Sequence, residues 1–218
     1  MGRVHIKICG ITNAEDAREA ERLGADFLGL NFYAASPRYV PLQTAAAIVQ
    51  ELPASIAAVG LFVNDSMPAI RAILDRLRVV RAVQWHGERP PLPTEMPCKL
   101  VAAFAVRDAD DLKAINRYLD QCRQASALPA AVLVDGHSGG RYGGTGRRAP
   151  WKLLADFHPG VDIILAGGLT PENVAEAVRI VRPYAVDVAS GVESSPGRKD
   201  PEKMRRFIDS AREAAARL

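Results

Sequence analysis

Short β-rich apolar segments alternate with amphipathic helical segments along the whole of this 218-residue chain. This alternation is the strongest constraint on the fold, because consecutive strands separated by helices form parallel sheets. Eight strands are predicted, at His5–Ile11, Phe27–Phe32, Ile56–Val63, Ala82–His86, Leu100–Val106, Ala131–Asp135, Asp162–Ala166 and Ala185–Ser190. The predicted helices are Ala14–Leu23, Leu42–Glu51, Pro68–Leu77, Asp110–Gln121, Pro171–Ile180 and Pro201–Leu218.

Eight strand-containing units of about 27 residues each predict a (β/α)8 barrel, with residues 1–218 forming a single domain. A doubly wound open sheet is the alternative, but it usually has fewer strands, and no G-x-G-x-x-G motif follows the first strand. The fourth connection should be irregular, because Glu88–Pro97 contains four prolines. A helix start is predicted at Thr170, with Pro171 at the first helical position.

Composition excludes several classes of protein. Hydrophobic residues at 48%, charged residues at 24% and a net charge of +3 are typical of a globular domain with mixed surface charge, and they argue against a nucleic-acid binder. No apolar run reaches the roughly 20 residues that cross a bilayer, and the first ten residues lack a signal-peptide core. The three widely spaced cysteines indicate neither a disulfide framework nor a zinc cluster. We therefore expect a cytoplasmic protein without membrane partners.

The first strand has two chemically different faces. Val4, Ile6 and Ile8 alternate with Lys7 and Cys9. Because helices cover the outside of a barrel, the apolar set should face outward, with the lysine and the cysteine inside. An inward lysine requires an anion or the open mouth of the barrel. A cysteine taken alone is more often a small buried apolar residue than a catalytic one.

Polar residues also occur in and at the ends of three other strands. Asp135 closes the sixth strand, where it could either form a turn or act as a catalytic carboxylate. Asp187 interrupts the eighth strand between two valines, which a turn explains less well. Gln84 and His86 share one face at the end of the fourth strand, where a structural hydrogen bond is the simplest explanation.

Three glycine-rich segments occur late in the chain, at Gly143–Gly146, Ala166–Gly168 and Ala189–Gly191. Glycine allows backbone N–H groups to approach an anion closely, and the loops after strands seven and eight of a barrel commonly bind phosphate. These segments favour a phosphorylated substrate, and tight turns without a ligand are the alternative.

A set of short strings is distributed along the chain: Lys7–Thr12, Gly29–Phe32 with Ser36–Val40, Gly60–Val63, Val83–Gly87, Val134–Asp135 leading to Tyr142–Gly146, Leu165–Leu169, and Val186–Val188 with Ser190–Glu193. Taken together, these strings resemble the phosphoribosylanthranilate isomerase family. They run in order from residue 5 to about residue 200. The resemblance implies a (β/α)8 barrel of tryptophan biosynthesis that uses no metal or organic cofactor.

The resemblance also implies an aldose–ketose isomerase that carries out an Amadori rearrangement of N-(5-phosphoribosyl)anthranilate. Asp135 would be the general acid that opens the ribose ring, and Cys9 the general base that removes the C2′ proton. Arg38 would bind the anthranilate carboxylate. Further substrate contacts are assigned to Lys7, Gln84 and Asp187, and the phosphate would lie at Gly144, Gly167, Gly168, Ser190 and Gly191.

Other functions stay open at this stage. A related phosphate-binding barrel, such as a pentose-phosphate epimerase or indoleglycerol-phosphate synthase, would require metal-binding histidines or additional lysine and glutamate residues at strand ends. A barrel that binds a phosphorylated ligand without converting it would not need both Cys9 and Asp135. A second activity on the aminoaldose of histidine biosynthesis also stays open. The expected partner is a small phosphorylated molecule, and the chain would be a monomer or a homodimer.

Overall fold

A closed barrel of eight parallel strands forms the centre of the structure, a computed structural model that describes residues 3–53, 55–136 and 150–218. The barrel closes where β1 pairs with β8, with His5 opposite Ala185. This confirms the predicted (β/α)8 fold. The strands are β1 His5–Cys9, β2 Phe27–Asn31, β3 Ala57–Val63, β4 Val80–His86, β5 Lys99–Val106, β6 Ala131–Gly136, β7 Asp162–Leu165 and β8 Ala185–Val188.

Helices follow most of the strands. Six of the seven in the described residues lie close to the predicted positions, and the short one at Trp151–Leu154 was not predicted. The helices are α1 Ala14–Arg22, α2 Leu42–Gln50, α3 Met67–Arg76, α4 Ala109–Gln124, α5 Trp151–Leu154, α6 Val174–Val181 and α7 Pro201–Ala216. The fourth connection contains only a 3-10 turn at Pro93–Glu95, as its prolines predict.

The predicted start of α6, at Pro171, is wrong by three residues. The Thr170 hydroxyl does accept a hydrogen bond from the N–H of Glu172, at 3.3 Å. However, the Thr170 carbonyl accepts bonds from the N–H groups of both Asn173 and Val174, which makes a tight turn before the regular helix. The helix therefore begins at Val174.

A short antiparallel hairpin follows β8 and was not predicted. It consists of β9 Glu193–Ser195 and β10 Arg198–Lys199, and a 3-10 turn at Ser190–Val192 precedes it. The predicted eighth strand therefore ends early, at Val188. The sequence from 194 to 200 is polar and is typical of a surface loop. The hairpin was missed because local sequence does not reveal the distant residues that hold it.

One apolar layer lies between the strands and the helices, as the alternation in the first strand predicts. A second apolar layer lies inside the barrel. Ile6 and Ile8 pack between the barrel and the helices, in the same cluster as Phe207 of α7. A separate cluster fills the barrel interior, and it includes Leu133 and Ile164. Lys7 lies on the opposite face of β1, where it is only 2% exposed.

Asp200 caps α7, the helix that packs against α1 and α6. Its Oδ1 atom accepts hydrogen bonds from the N–H groups of Glu202 and Lys203, each at 3.0 Å.

We expect Asp200→Ala to lower the free energy of unfolding by about 1 kcal/mol, because two N-terminal N–H groups lose their acceptor. Urea denaturation measures this change. Asp209→Ala, on an exposed part of the same helix, is the control and should change stability by less than about 0.5 kcal/mol; equal losses in the two variants would contradict the capping role.

Candidate active site

A cleft lies at the carboxyl ends of the strands, and most of the predicted site residues line it. Those that line it are Cys9, Arg38, Gln84, Asp135, Gly167, Gly168, Asp187, Ser190 and Gly191. Lys7 is not among the lining residues. Gly144, in the glycine-rich run after β6, lies outside the described residues.

Lys7 and Asp187 form an ion pair inside the barrel. The Lys7 Nζ atom lies 2.9 Å from Asp187 Oδ1, and their side chains are 2% and 8% exposed. Gly29 of β2 leaves room for this pair, because a Cβ atom there would lie 3.0 Å from Lys7 Nζ and 2.6 Å from Cys9 Sγ. Burial opposes the lysine charge, but Asp187 and Cys9 outweigh it, so the pKa of Lys7 is raised.

Cys9 ends β1 directly above this ion pair. Burial raises the pKa of the thiol, and Asp187 raises it further. Lys7 and Lys199 lower it without cancelling the effect of burial. The thiol is therefore neutral in the unliganded protein near pH 7, and it needs an additional positive charge to ionise.

Asp135 lies near the end of β6 and lines the same cleft as Cys9. On one side, β7 and β8 separate the two strands that carry these residues. Burial, followed by the negative charge of Asp187, raises the pKa of Asp135 to about 7, against the opposing effect of the Gly136 N–H group. A carboxyl group with this pKa is partly protonated at neutral pH and can donate a proton.

His86 and Gln84 form a buried polar pair at the end of β4. Burial and then the charge of Lys7 lower the pKa of His86 to about 4, so the imidazole is neutral. Its Nε2 atom lies 2.7 Å from Gln84 Nε2 and accepts a hydrogen bond from that amide. Gln84 Oε1 is buried and has no hydrogen-bond partner within the described residues, which makes it an available acceptor beside the cleft.

Arg38 lies in the loop after β2, and a carboxylate that the sequence analysis did not assign already holds it. Its Nε and Nη2 atoms donate to Glu193 Oε1 and Oε2, both at 2.7 Å. The Ser36 hydroxyl accepts hydrogen bonds from the Arg38 N–H at 3.1 Å and from Asn31 Nδ2 at 3.0 Å. The loop is thus fixed to the end of β2.

Lys199 is the second residue that the sequence analysis missed. Its Nζ atom donates to Glu193 Oε1 at 2.9 Å, to the Cys9 carbonyl at 2.6 Å and to the Ala189 carbonyl at 3.2 Å. Glu193 falls within one of the family-like strings, which is a signal that could have identified it. Lys199 stands in a polar run and gives no such signal. Asn31 could have been identified as a polar residue that ends an apolar strand.

Glycines shape the loops after β7 and β8. Gly167 has a φ of +87°, and a Cβ atom there would overlap the backbone nitrogen of Gly136 and lie 2.6 Å from Asp135 Oδ1. The Asn173 side chain ties this loop down, since its Nδ2 donates to the Gly168 carbonyl at 2.8 Å and its Oδ1 accepts from the Thr170 N–H at 2.9 Å. The loop after β7 is therefore held close to Asp135, and its glycines line the cleft.

The described residues contain no cluster of three or more His, Cys, Asp or Glu side chains arranged to hold a metal ion. Among the helices of the described ranges, none combines the length and the apolar character needed to cross a bilayer.

The family model for N-(5'-phosphoribosyl)anthranilate (PRA) isomerase matches residues 6–210. The chain belongs to the phosphoribosylanthranilate isomerase family. It is 45% identical over 213 residues to the N-(5'-phosphoribosyl)anthranilate isomerase of Trichlorobacter lovleyi, which covers 97% of this chain and 99% of that protein.

Two solved structures of phosphoribosylanthranilate isomerases are also similar. One is of monomers generated from the dimeric Thermotoga maritima enzyme, with 35% identity, a TM-score of 0.80 and coverage of 95% of this chain and 98% of that one. The other is a complex with reduced 1-(o-carboxyphenylamino)-1-deoxyribulose 5-phosphate, with 34% identity, a TM-score of 0.81 and the same coverage.

The raised pKa of Asp135 predicts a pH-dependent cost to stability. The pKa is about 7 in the folded protein and 3.8 for an ordinary aspartate, so the fold loses stability as the pH rises between these values. We expect Asp135→Asn to remove this loss and to be more stable than the unmodified protein by up to about 4 kcal/mol at pH 8. The advantage should disappear near pH 4.

Chemical denaturation from pH 4 to pH 8 measures the two stabilities. Asp162→Asn, at an exposed position at the start of β7, is the matched control and should leave the pH dependence unchanged. A difference between Asp135→Asn and the unmodified protein that stays constant with pH would contradict the raised pKa.

Gly167 should tolerate no side chain. We expect Gly167→Ala to lower the free energy of unfolding by more than Gly160→Ala, because both positions have positive φ but the added methyl group clashes with backbone only at Gly167. The conformational cost alone is about 1–2 kcal/mol, and it should account for the Gly160 variant. Thermal and urea unfolding of the two variants make the comparison. Equal losses would show that the close approach to Gly136 is unimportant.

Proposed function

We propose that this protein is a phosphoribosylanthranilate isomerase that converts N-(5-phosphoribosyl)anthranilate to 1-(2-carboxyphenylamino)-1-deoxyribulose 5-phosphate in L-tryptophan biosynthesis. The observation that carries the proposal is that Cys9 of β1 and Asp135 of β6 line one cleft, with the pKa of Asp135 at about 7. An acid and a base that face each other across a substrate are what an aldose–ketose isomerisation requires.

The substrate has an anionic group at each end, and the cleft offers a complementary group for each. The phosphate would bind the backbone at Gly167, Gly168, Ser190 and Gly191, together with Gly144. The anthranilate carboxylate would bind Arg38. This orientation places the ribose between the two ends, near the acid and the base. Asp187 and Gln84 would contact the amine or the ribose hydroxyls.

The first step opens the ribose ring. Asp135 donates its proton to the ring oxygen as the bond from that oxygen to C1′ breaks. The lone pair of the anthranilate nitrogen forms a double bond to C1′, which gives a cationic Schiff base and leaves Asp135 ionised. A carboxyl group that is still partly protonated at neutral pH suits this step.

The second step removes the C2′ proton. The Cys9 thiol first loses its proton to solvent. The thiolate then takes the C2′ proton, the electron pair forms the C1′–C2′ double bond, and the nitrogen becomes neutral. The resulting enolamine gains a proton at C1′ and loses the C2′ hydroxyl proton to become the ketone. Because Lys7 is already paired with Asp187, the positive charge of the Schiff base would provide the additional stabilisation that the thiolate needs. Lys7 would then act beneath the cleft by supporting Cys9, rather than by touching the substrate.

The remaining parts of the proposal concern the whole molecule. Residues 1–218 would form one catalytic domain that acts in the cytoplasm without a cofactor, since both steps are proton transfers that side chains can perform. The partner would be the small phosphorylated substrate, with no nucleic acid or membrane involved. The chain would be a monomer or a homodimer, and both forms are represented by the Thermotoga maritima enzyme.

The test is the decay of substrate fluorescence when phosphoribosylanthranilate is generated in situ. The unmodified protein should accelerate this decay. Cys9→Ala and Asp135→Asn should each lower kcat by about 10²–10⁴-fold, the usual contribution of a general acid or base. Cys98→Ala, at a half-buried position before β5, should keep normal turnover and serves as the control.

Circular dichroism and melting curves establish that each variant is folded. Near-normal turnover by a folded Cys9→Ala or Asp135→Asn variant would remove that residue from the mechanism. Absence of turnover by the unmodified protein, together with conversion of a pentose phosphate, would instead indicate a related barrel enzyme.

A further inference from the structure

The guanidinium of Arg38 has two edges that can each bind a carboxylate with parallel hydrogen bonds. Glu193 already occupies one edge, through Nε and Nη2. The N–H groups that remain are the pair on Nη1 and the second one on Nη2. Arg38 lines the cleft, so the Nη1–Nη2 edge is the one left for a second carboxylate.

We propose that Glu193 is a positioning residue that holds Arg38 with its Nη1–Nη2 edge toward the anthranilate carboxylate, and that it thereby sets the preference for a carboxylated aromatic substrate. This inference rests on the proposed function, because it assumes that the carboxylate of the substrate binds Arg38.

Glu193 is itself held in place. Its side chain is 5% exposed, and its second cation, Lys199, has a fully buried side chain. The three donors of the Lys199 ammonium group are used by Glu193 and by the carbonyl groups of Cys9 and Ala189. The guanidinium of Arg38 is therefore connected to the backbone of the proposed base through a chain of direct hydrogen bonds.

The aliphatic part of Arg38 is also fixed. Gly10, which follows the proposed base, has a φ of +74°, and a Cβ atom there would collide with the Arg38 side chain. The arginine stem thus lies against this glycine. Because both ends of the side chain are held before a ligand arrives, binding would cost little further conformational freedom.

The charge of Glu193 and its positioning of Arg38 would have opposite effects on binding of a carboxylated substrate. Burial opposes the ionisation of Glu193, but Arg38 and Lys199 outweigh it, so its pKa is lowered and the group is ionised at neutral pH. A negative charge beside the site should repel a carboxylate substrate. Removing it would therefore strengthen binding if Glu193 acted only through charge, and weaken binding if Glu193 positions Arg38.

The experiment compares Glu193→Gln and Glu193→Asp with the unmodified enzyme. The first variant removes the charge, and the second keeps the charge but shortens the side chain so that it no longer reaches both Arg38 nitrogens. We expect each to raise KM for phosphoribosylanthranilate, and Kd for reduced 1-(o-carboxyphenylamino)-1-deoxyribulose 5-phosphate, by about tenfold or more, with kcat changed by less than about threefold. Kd for the phenylamino analogue that lacks the carboxylate should change by less than about twofold.

Two further comparisons test whether Glu193 affects substrate binding through Arg38. Glu19→Gln breaks a fork of the same geometry, to Arg22 at 2.7 and 2.8 Å, at an exposed site, and it should change neither KM nor Kd. In an Arg38→Met background, Glu193→Gln should add little to the loss of affinity for the carboxylated analogue, because the two residues act through the same contact.

An unchanged or lower KM in folded Glu193 variants would overturn the proposal while leaving the isomerase function intact. If the unmodified protein shows no turnover but the Kd pattern holds, the isomerase function fails and the positioning role stands.

NMR of ¹⁵N-labelled unmodified protein provides a test that needs no Glu193 variant. The Arg38 Nε–H signal, assigned with Arg38→Lys, should be protected from solvent exchange with and without the reduced analogue, and rapid exchange in the free protein would overturn the proposal.

Discussion

The ion pair between Lys7 and Asp187 is the interaction on which the cleft depends. Two charges in a barrel interior are stable only when each meets the other at close range, and these atoms are 2.9 Å apart. The pair joins β1 to β8, where the sheet closes, and lies directly under the proposed base. Lys7 or Asp187 contributes to the pKa changes of three groups that line the cleft, Cys9, Asp135 and His86.

The position of the pair gives the two sides of the cleft different electrostatics. Asp187 adds to the effect of burial on Asp135 and favours its protonated form. Lys7 opposes the effect of burial on Cys9, although not completely. His86, which experiences burial and the same lysine, remains neutral and available as a hydrogen-bonding group. The pair therefore acts on both proposed proton-transfer groups, because Asp187 raises the pKa of Asp135 while Lys7 partly offsets the effect of burial on Cys9.

The local pattern of apolar and polar residues was sufficient to predict the barrel and the direction in which the side chains of its first strand point. The alternation in β1 predicted that Lys7 and Cys9 face inward while Ile6 and Ile8 face the helices, and the structure agrees. Much of the cleft could also be anticipated, because residues at the carboxyl ends of parallel strands meet at one end of a barrel. Their catalytic roles come from the family resemblance and remain predictions.

The contacts that were not anticipated join residues far apart in the chain. Glu193 binds Arg38 across 155 positions, and Lys199 binds the Cys9 carbonyl across 190. Nothing in a polar run such as 194–200 distinguishes a buried lysine from an exposed one. The start of α6 was missed for a related reason, since the tight turn before it depends on how Asn173 binds the loop after β7.

The hairpin of β9 and β10 has a consequence for how the proposed substrate specificity could evolve. Arg38, Glu193 and Lys199 form a buried chain of alternating charges, and replacing the arginine alone would leave the carboxylate with one cation and an empty hydrogen-bonding edge. A change of aromatic substrate at this position is therefore subject to epistasis. The first substitution is costly in isolation and becomes tolerable only when its charged partners change with it. New specificity would therefore have to arise through coordinated replacements in the loop after β2 and in the hairpin after β8.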